Sequence, residues 1–337
     1  MNPRHVLVTG GSGFIAGHLI LQLADAGYRV RTTIRSLTRE ESVRAKLAAA
    51  GLKNQDALEF VAADLTSDDG WAKAMSGIDT VFHVASPIVP GHGHDEDAII
   101  TPAREGTARV LRAAHDSGVR RVVMTSAFHA VGWGHPHDEH VFTEADWTNV
   151  DGPGVDAYGK SKTLAERDAW DFVRGEGEGL ELTTLLPVAV MGPALGSKAS
   201  GSNEVIERMV TGKLPVLANM YMPIVDVRDV AYAHILAMES DQAAGRRFLL
   251  SDGPALTLKQ IADIIREELG DKAKKVPTRV LPDGLVRFLG RFNGEMRMVA
   301  EDLGYARRTS NQAAVDTLGW HPRPAREAII GAARSLT

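Results

Sequence analysis

Two side chains that can exchange protons stand four residues apart in the stretch DAYGKSKTLAERDAW. Tyr158 and Lys162 occupy positions i and i+4, so on a helix they share one face. A phenol with an ordinary pKa of ~10 is a poor acid–base group at neutral pH. A neighbouring ammonium favours the phenolate and brings that pKa toward a useful range. The spacing therefore predicts a proton-transfer site in which Lys162 lowers the pKa of Tyr158.

A second group of polar side chains lies at the end of the β-branched run VVMTSAFHAVGWG. The run ends on two hydroxyl residues, Thr125 and Ser126, followed by Ala127. The carboxyl edge of a parallel sheet is where open α/β folds bind their ligands. Because the Tyr–Lys stretch follows this strand in the chain, we expect the strand tip and Tyr158 to belong to one active site.

The stretch VLVTGGSGFIAGHLILQLADAGYRV has the spacing of a dinucleotide-binding turn. Gly10, Gly13 and Ala16 recur every three residues between a predicted strand and an apolar-periodic helix. Small residues let the backbone approach a pyrophosphate, and the helix N-terminus offers it free N–H groups. The strand–turn–helix context predicts a bound dinucleotide cofactor.

The residue after the second predicted strand indicates which dinucleotide is bound. An NAD site commonly has an acidic side chain here for the ribose 2′-hydroxyl, whereas this chain has Arg35, with Arg39 nearby. A guanidinium suits a 2′-phosphate because it donates paired, charge-assisted hydrogen bonds. The sequence predicts NADP(H) rather than NAD.

Short β-branched runs alternate with helical patterns and predict an α/β fold, a doubly wound parallel sheet of the Rossmann type. The predicted strands are HVLVT, YRVRTTI, LEFVAAD, DTVFHVA, RRVVMTS, LTTLLPVAV and, later, FLLSD. The alternation stops after Pro187, in the Gly/Ser-rich GPALGSKASGS. We expect a dinucleotide-binding core of residues 1–190, with 222–252 returning to it. Residues 191–221 and 253–337 are expected to form a smaller, partly interleaved substrate-binding lobe.

Composition narrows the class of protein. The 337 residues are 44% hydrophobic and 24% charged, and the net charge of −5 comes with no basic block, which argues against a nucleic-acid partner. The absence of cysteine excludes disulfides and thiolate metal sites. No apolar run reaches the ~18 residues of a membrane span, and the first residues resemble no signal peptide. We expect a soluble cytoplasmic protein that acts on a small molecule away from membranes.

Taken together, these stretches resemble the extended short-chain dehydrogenase/reductases, and most closely the dihydroflavonol-reductase-like and aldehyde (ketone) reductase branch. The resemblance covers nearly the whole chain and rests on VTGGSGFIAGHL, AADLT, VFHVASP, YGKSKTLAE, VDVRDVAYAH and LGWHPRPAREAI. It implies an NADPH-dependent reductase of aldehydes or ketones, a monomer or homodimer, in which Tyr158 is the proton donor and Lys162 its partner. It also implies contacts with the cofactor from Gly10, Gly13, Phe14, Ile15, Arg35, Asp64, Leu65, Val84, Ala85, Ser86, Tyr158, Lys162, Pro187 and Val190.

The chain departs from this family at the strand tip. The family pattern is Thr-Ser-Ser with the second serine catalytic, whereas this sequence has Ala127 at the aligned position. Three outcomes stay open: Ser126 serves as the catalytic hydroxyl, another donor such as His129 or a water replaces it, or Tyr158 acts alone. Gly132 stands where dihydroflavonol reductases tend to have asparagine, which argues against a flavonoid substrate.

Two other functions share parts of this pattern. An NAD-dependent nucleotide-sugar epimerase or dehydratase has the same fold and Tyr–Lys pair, but Arg35 argues against it. A non-catalytic NADP-binding regulator would explain Ala127 but leaves Tyr158 and Lys162 without a purpose.

Histidines and carboxylates also cluster in GHGHDED and HPHDEH, at His92, His94, His135, His137 and His140. Their spacing matches no zinc signature, so we expect no metal site.

Overall fold

A computed structural model describes residues 5–87, 95–196 and 199–337; His92 and His94 lie outside the described residues. The strands are β1 (His5–Val8), β2 (Arg29–Ile34), β3 (Leu58–Ala62), β4 (Thr80–His83), β5 (Arg121–Thr125), β6 (Val141–Phe142), β7 (Glu181–Pro187), β8 (Ala189–Met191), β9 (Tyr221–Met222), β10 (Ile224–Asp226), β11 (Arg246–Leu250), β12 (Leu256–Thr257) and β13 (Arg308–Thr309). The α-helices are α1 (Phe14–Asp25), α2 (Glu40–Ala49), α3 (Trp71–Met75), α4 (Asp97–Asp116), α5 (Ala157–Arg174), α6 (Asn203–Thr211), α7 (Val227–Glu239), α8 (Leu258–Leu269), α9 (Asp283–Leu289), α10 (Gly294–Glu301), α11 (Gln312–Leu318) and α12 (Ala325–Ser335).

Seven strands form one sheet in the order β3-β2-β1-β4-β5-β7-β11, and every neighbouring pair is parallel. The chain runs outward from β1 to β3 and then returns to the other side of β1 with β4. This reversal places a crevice at the carboxyl ends of β1 and β4, where folds of this type bind ligands. The predicted doubly wound sheet is confirmed.

The run LTTLLPVAV, predicted as one strand that begins at Leu182, forms two strands. β7 ends at Pro187, and β8 pairs instead with β10 in a separate two-stranded sheet. Proline has no N–H to donate, so a strand's hydrogen-bond ladder is readily interrupted there. The interruption redirects the chain from the main sheet toward its C-terminal part.

Apolar side chains fill both faces of the sheet and a third, separate region. Helices α1, α2, α7 and α11 cover one face, and α3, α4 and α5 cover the other. The third cluster is built mainly from β8, α6, β10, α8 and α12. Leu318 and Trp320, from the predicted lobe, pack into the sheet's own core, whereas Ile224, predicted to return to the core, packs into the third cluster. The boundaries at 190/191 and 252/253 stay predictions.

A buried carboxylate fastens α5, the helix of the Tyr–Lys pair, to the sheet. Glu166 is fully buried and accepts hydrogen bonds from the hydroxyls of Ser126 and Thr184, both at 2.7 Å. Arg247 of β11 donates to it from Nε at 2.8 Å, and the Trp170 indole N–H lies at 3.3 Å. Strands β7 and β11 and the residue that follows β5 thus hold one residue of α5.

Arg247 is itself enclosed. Its Nη1 donates to the backbone carbonyls of Glu144 and Asp146 at 2.6 and 2.8 Å, and its guanidinium lies 3.6 Å from the centroid of the Trp147 ring. A buried ion pair of this kind is costly to break, because removing one partner leaves the other charge buried and uncompensated.

We therefore expect Glu166→Gln to lower the free energy of unfolding by about 3–5 kcal/mol. The control is Asp168→Asn on the same helix, which removes a half-exposed pair with Arg104 whose N–O distance is 2.6 Å. Such pairs contribute about 0–1 kcal/mol. Urea denaturation of both variants measures the difference, and equal losses would contradict the anchoring role.

Candidate active site

Tyr158 and Lys162 lie on one face of α5, as predicted. The helix begins at Ala157 because Asp156 caps it: its Oδ1 accepts the Gly159 N–H at 2.7 Å. This places Tyr158 in the first turn, and Lys162 Nζ lies 5.9 Å from the centroid of its ring. Within the described part of the chain, neither the Tyr158 hydroxyl nor Lys162 Nζ has a hydrogen-bond partner. Both groups are therefore free to bind a ligand.

The pKa values of this pair differ from the sequence expectation. Removal from water raises the pKa of Tyr158 to about 12, and the Asp156 carboxylate acts in the same direction. Burial lowers the pKa of Lys162 to about 8, opposed by the negative charge of Glu166. The predicted lowering of the Tyr158 pKa is not seen, because desolvation of the phenolate dominates. At neutral pH the phenol is thus protonated.

The two hydroxyls at the end of β5 point to partners inside the protein. Ser126 is 3% exposed and donates its proton to Glu166. Thr125 Oγ1 lies 2.7 Å from His234 Nε2. Because His234 Nδ1 donates to the Val230 carbonyl at 2.8 Å, its Nε2 accepts, so Thr125 is the donor. The structure does not offer the Ser126 proton to a ligand, which disfavours the catalytic role predicted for it.

Beyond the strand tip, His129 contacts α5, the helix of Tyr158 and Lys162. Its ring lies edge-on to the Tyr158 ring, with centroids 4.9 Å apart and planes at 76°. Its other neighbour is Trp133, on which it stacks at 4.0 Å and 10°. Arg307 lies over the Trp133 ring at 4.4 Å and donates to the Gly132 carbonyl at 2.8 Å. A segment of the C-terminal part of the chain therefore holds this stack in place.

The glycine turn has the shape that a dinucleotide requires. Gly10 has φ +74°, a conformation that favours glycine, and a Cβ there would lie 3.0 Å from that of Ala85. A Cβ at Gly11 would lie 2.2 Å from Thr32 Oγ1. Gly13 is the N-cap of α1 and provides no side-chain cap, so the first N–H groups of the helix stay available to a phosphate. The residues present fit a dinucleotide.

The predicted cofactor residues after β4 are fixed by a neighbouring hydroxyl. Thr9 Oγ1 accepts the backbone N–H groups of Val84 and Ala85 at 3.0 and 2.9 Å and lies 3.1 Å from His83 Nδ1. Since both its lone pairs are used, Thr9 must donate to Nδ1, which leaves the proton of His83 on Nε2. Burial lowers the pKa of His83 to about 3, so the ring is neutral.

The other predicted cofactor residues lie along the same edge of the sheet. Arg35 is exposed directly after β2, and its charge lowers the pKa of Asp64, behind the larger effect of the Thr66 N–H bonded to that carboxylate at 2.9 Å. Leu65, Phe14, Ile15 and Val190 are half-buried, and Pro187 is buried at the end of β7. A cleft at this edge is lined by His83, Ala85, Ser86, Thr125, Ser126 and Lys162, among others. The structure thus gathers residues from both predicted sites.

The described histidines of the HPHDEH stretch bond to the protein. His135 Nε2 donates to the Trp147 carbonyl at 3.1 Å, His137 stacks on Tyr305 at 3.9 Å, and His140 Nε2 lies 3.1 Å from Asp146. Among the described residues, no group of three or more His, Asp or Glu side chains could hold a metal ion.

Two residues of the site were missed by the sequence reasoning, Glu166 and Arg247. Glu166 stands four residues after Lys162 and therefore on the same helical face, which is a signal that the sequence offered. Arg247 sits within a strand and carried no comparable signal.

Comparison with known proteins places this geometry among cofactor-dependent enzymes. The sequence profile of the NAD dependent epimerase/dehydratase family matches residues 6–250. A Candida albicans protein named "Putative NADPH-dependent methylglyoxal reductase GRP2" is 32% identical over 81% of this chain and 85% of its own. The ketoreductase azaE of Aspergillus niger is 33% identical over 94% of this chain and 96% of its own.

A solved structure agrees with these matches. The crystal structure of Gre2 from Candida albicans in complex with NADPH has a TM-score of 0.81 and 25% identity, over 99% of this chain and 98% of that one. In the described part of the chain, no helix is both long and apolar enough to cross a membrane.

Proposed function

Because the chain belongs to the NAD dependent epimerase/dehydratase family, we propose that it is an NADPH-dependent reductase that converts an aldehyde or ketone into an alcohol. The observation that carries the proposal is the Tyr158–Lys162 pair, unpartnered among the described residues, beside a cleft next to the glycine turn. Two relatives whose names state a carbonyl reduction, a methylglyoxal reductase and a ketoreductase, support this substrate class.

The cofactor, when bound, supplies a hydride to the carbonyl carbon. The turn from Gly10 to Gly13 would hold its pyrophosphate, Arg35 a 2′-phosphate, and Lys162 its nicotinamide ribose. Arg35 is placed for this because it follows β2 directly and is exposed. A phosphate there would gain charge-assisted hydrogen bonds from the guanidinium.

Tyr158 completes the reduction from the oxygen side. As the carbonyl carbon gains a hydride, the oxygen becomes an alkoxide and takes the phenolic proton. The high pKa of Tyr158 keeps that proton available at neutral pH. An epimerase of this fold has the same pair, so the observation that favours a reductase over an NAD-dependent epimerase is Arg35.

The proposal is tested with purified protein, NADPH and a panel of aldehydes and ketones, following loss of NADPH absorbance. Tyr158→Phe should lose about 10²–10⁴-fold in kcat, because positioned acid–base groups contribute that much. It should still bind NADPH, as followed by fluorescence. No oxidation above the variant's rate would refute the reductase. A tightly retained NAD in the protein as isolated would favour the epimerase or dehydratase instead.

Arg35 predicts the choice between the two nicotinamide cofactors. Arg35→Ala should raise the KM for NADPH about 10–10²-fold and leave that for NADH nearly unchanged, because a hydrogen bond to a charged group contributes about 1.5–3 kcal/mol. Arg29→Ala is the control, since Arg29 is also exposed but begins the same strand at its opposite end. Equal effects of the two substitutions would count against a 2′-phosphate contact.

The pKa of Lys162 predicts a pH dependence. Since that pKa lies near 8 rather than its usual 10.5, the ammonium is lost as pH rises through about 8, while Tyr158 stays protonated. The value of kcat/KM for NADPH should therefore fall above about pH 8. In Lys162→Arg, which stays charged, the fall should disappear even if the maximal rate is lower. A fall at the same pH in that variant would assign it to another group.

A further inference from the structure

Reduction of a carbonyl builds negative charge on its oxygen, and Tyr158 supplies one hydrogen bond to it. Donors aimed at such an oxygen are commonly worth about 10²–10³ in rate each. Ala127 has no side-chain donor. The Thr125 hydroxyl donates its hydrogen bond to His234, and the Ser126 hydroxyl donates its hydrogen bond to Glu166. The end of β5 therefore leaves the second donor position to another residue.

His129 is the polar side chain in ring contact with Tyr158. The two ring centroids lie 4.9 Å apart, with the ring planes at 76°. The positive charge of Lys162 contributes to lowering the pKa of His129, which shows that the ammonium is also within electrostatic range. Tyr158, Lys162 and His129 thus form a three-residue group, defined here as the proton-donor cluster.

The orientation of His129 is fixed from three directions. Its backbone carbonyl accepts the Thr148 hydroxyl at 2.8 Å, and its ring stacks on Trp133, which Arg307 covers from the other side. No described residue hydrogen-bonds to either ring nitrogen. A ring that is held by packing while its N–H stays unbonded is preorganised to donate to a ligand.

The charge state of the ring suits this role. Removal from water lowers the pKa of His129 to about 4; the Asp156 carboxylate opposes this, and the charges of Arg307 and Lys162 act in its favour. A neutral imidazole carries one N–H and can donate it without transferring the proton. His129 is then a hydrogen-bond donor only, and the single proton that moves to the oxygen comes from Tyr158.

We propose that His129 is a catalytic residue that donates a ring N–H to the substrate oxygen, in place of the side-chain donor that Ala127 lacks. This inference rests on the proposed reductase function. It assigns the two donors of the site to different elements, Tyr158 to α5 and His129 to the 3-10 turn Phe128–Ala130.

The first test uses His129→Phe, which keeps a flat ring against Trp133 but removes both nitrogens. Its kcat should fall about 10²-fold with little change in KM, because the lost bond strengthens in the transition state. His129→Gln, which restores an N–H, should recover part of the loss. The matched control is His137→Phe, a stacked histidine of the same loop region lying on Tyr305, which should keep wild-type kcat.

A rescue separates a lost donor from lost packing. Adding Ala127→Ser to His129→Phe should restore at least ~10-fold of the activity, because a hydroxyl at 127 replaces the missing donor. Ala127→Ser alone should change the wild-type rate little. A wild-type kcat in His129→Phe, or a ~10²-fold gain from Ala127→Ser alone, would overturn the proposal. If kcat falls in Ser86→Ala but not in His129→Phe, the proposal is overturned and the second donor is Ser86 of the cleft.

A second readout does not depend on turnover. In ¹⁵N-histidine NMR spectra, the His129 signal is identified by its absence in His129→Phe and should report a neutral ring between about pH 6 and 9. Adding NADP⁺ with a non-reducible amide should shift that signal and leave the His137 signal in place. An unshifted His129 signal would overturn the inference. A wild-type enzyme without NADPH oxidation, but with a shifted His129 signal, would instead refute the reductase function while supporting the contact.

Discussion

The buried Glu166 carboxylate is the interaction on which the rest of the site depends. A charge at zero exposure is tolerated only when its hydrogen-bonding capacity is filled, and here Ser126, Thr184, Trp170 and Arg247 fill it. These partners come from β7, from β11, from the residue after β5 and from α5 itself. The carboxylate therefore fixes the depth and rotation of α5 relative to the carboxyl edge of the sheet. Since Tyr158 and Lys162 share its helical face, their positions follow from this attachment together with the Asp156 cap at the start of α5.

The same carboxylate decides what its neighbours can do. It accepts the hydrogen bond of the Ser126 hydroxyl, so this hydroxyl, one residue from the expected position, has a structural role. It also opposes the desolvation of Lys162, whose pKa stays near 8 rather than falling further. Glu166, one helical turn after Lys162, therefore keeps a large share of the lysine protonated at neutral pH. The protonated amine can donate hydrogen bonds to a ribose hydroxyl or a phosphate.

The sequence was informative where a signal is local and periodic. Alternating apolar strands and helices predicted the doubly wound sheet, which is confirmed, and the resemblance to extended short-chain dehydrogenase/reductases agrees with the family match. The spacing of Tyr158 and Lys162 predicted their shared face, which the structure shows. Their pKa values could not be predicted, because they depend on burial and on charges from elements distant in sequence. The hydrogen-bond partner of the Ser126 hydroxyl could not be predicted either, because Glu166 lies 40 residues away along the chain.

The protonation states of Tyr158 and of the buried histidines match the proposed reduction. Tyr158 holds its proton, while His83, His129 and His234 are neutral because burial lowers their pKa values to about 3 or 4. Lys162 and the buried Glu166–Arg247 ion pair are then charged groups beside these neutral histidines. Hydrogen-bond donors that are already oriented stabilise an oxygen that gains negative charge. A phenol that keeps its proton at neutral pH can give it to an oxygen that gains negative charge, which is the step that the proposed reduction requires of Tyr158.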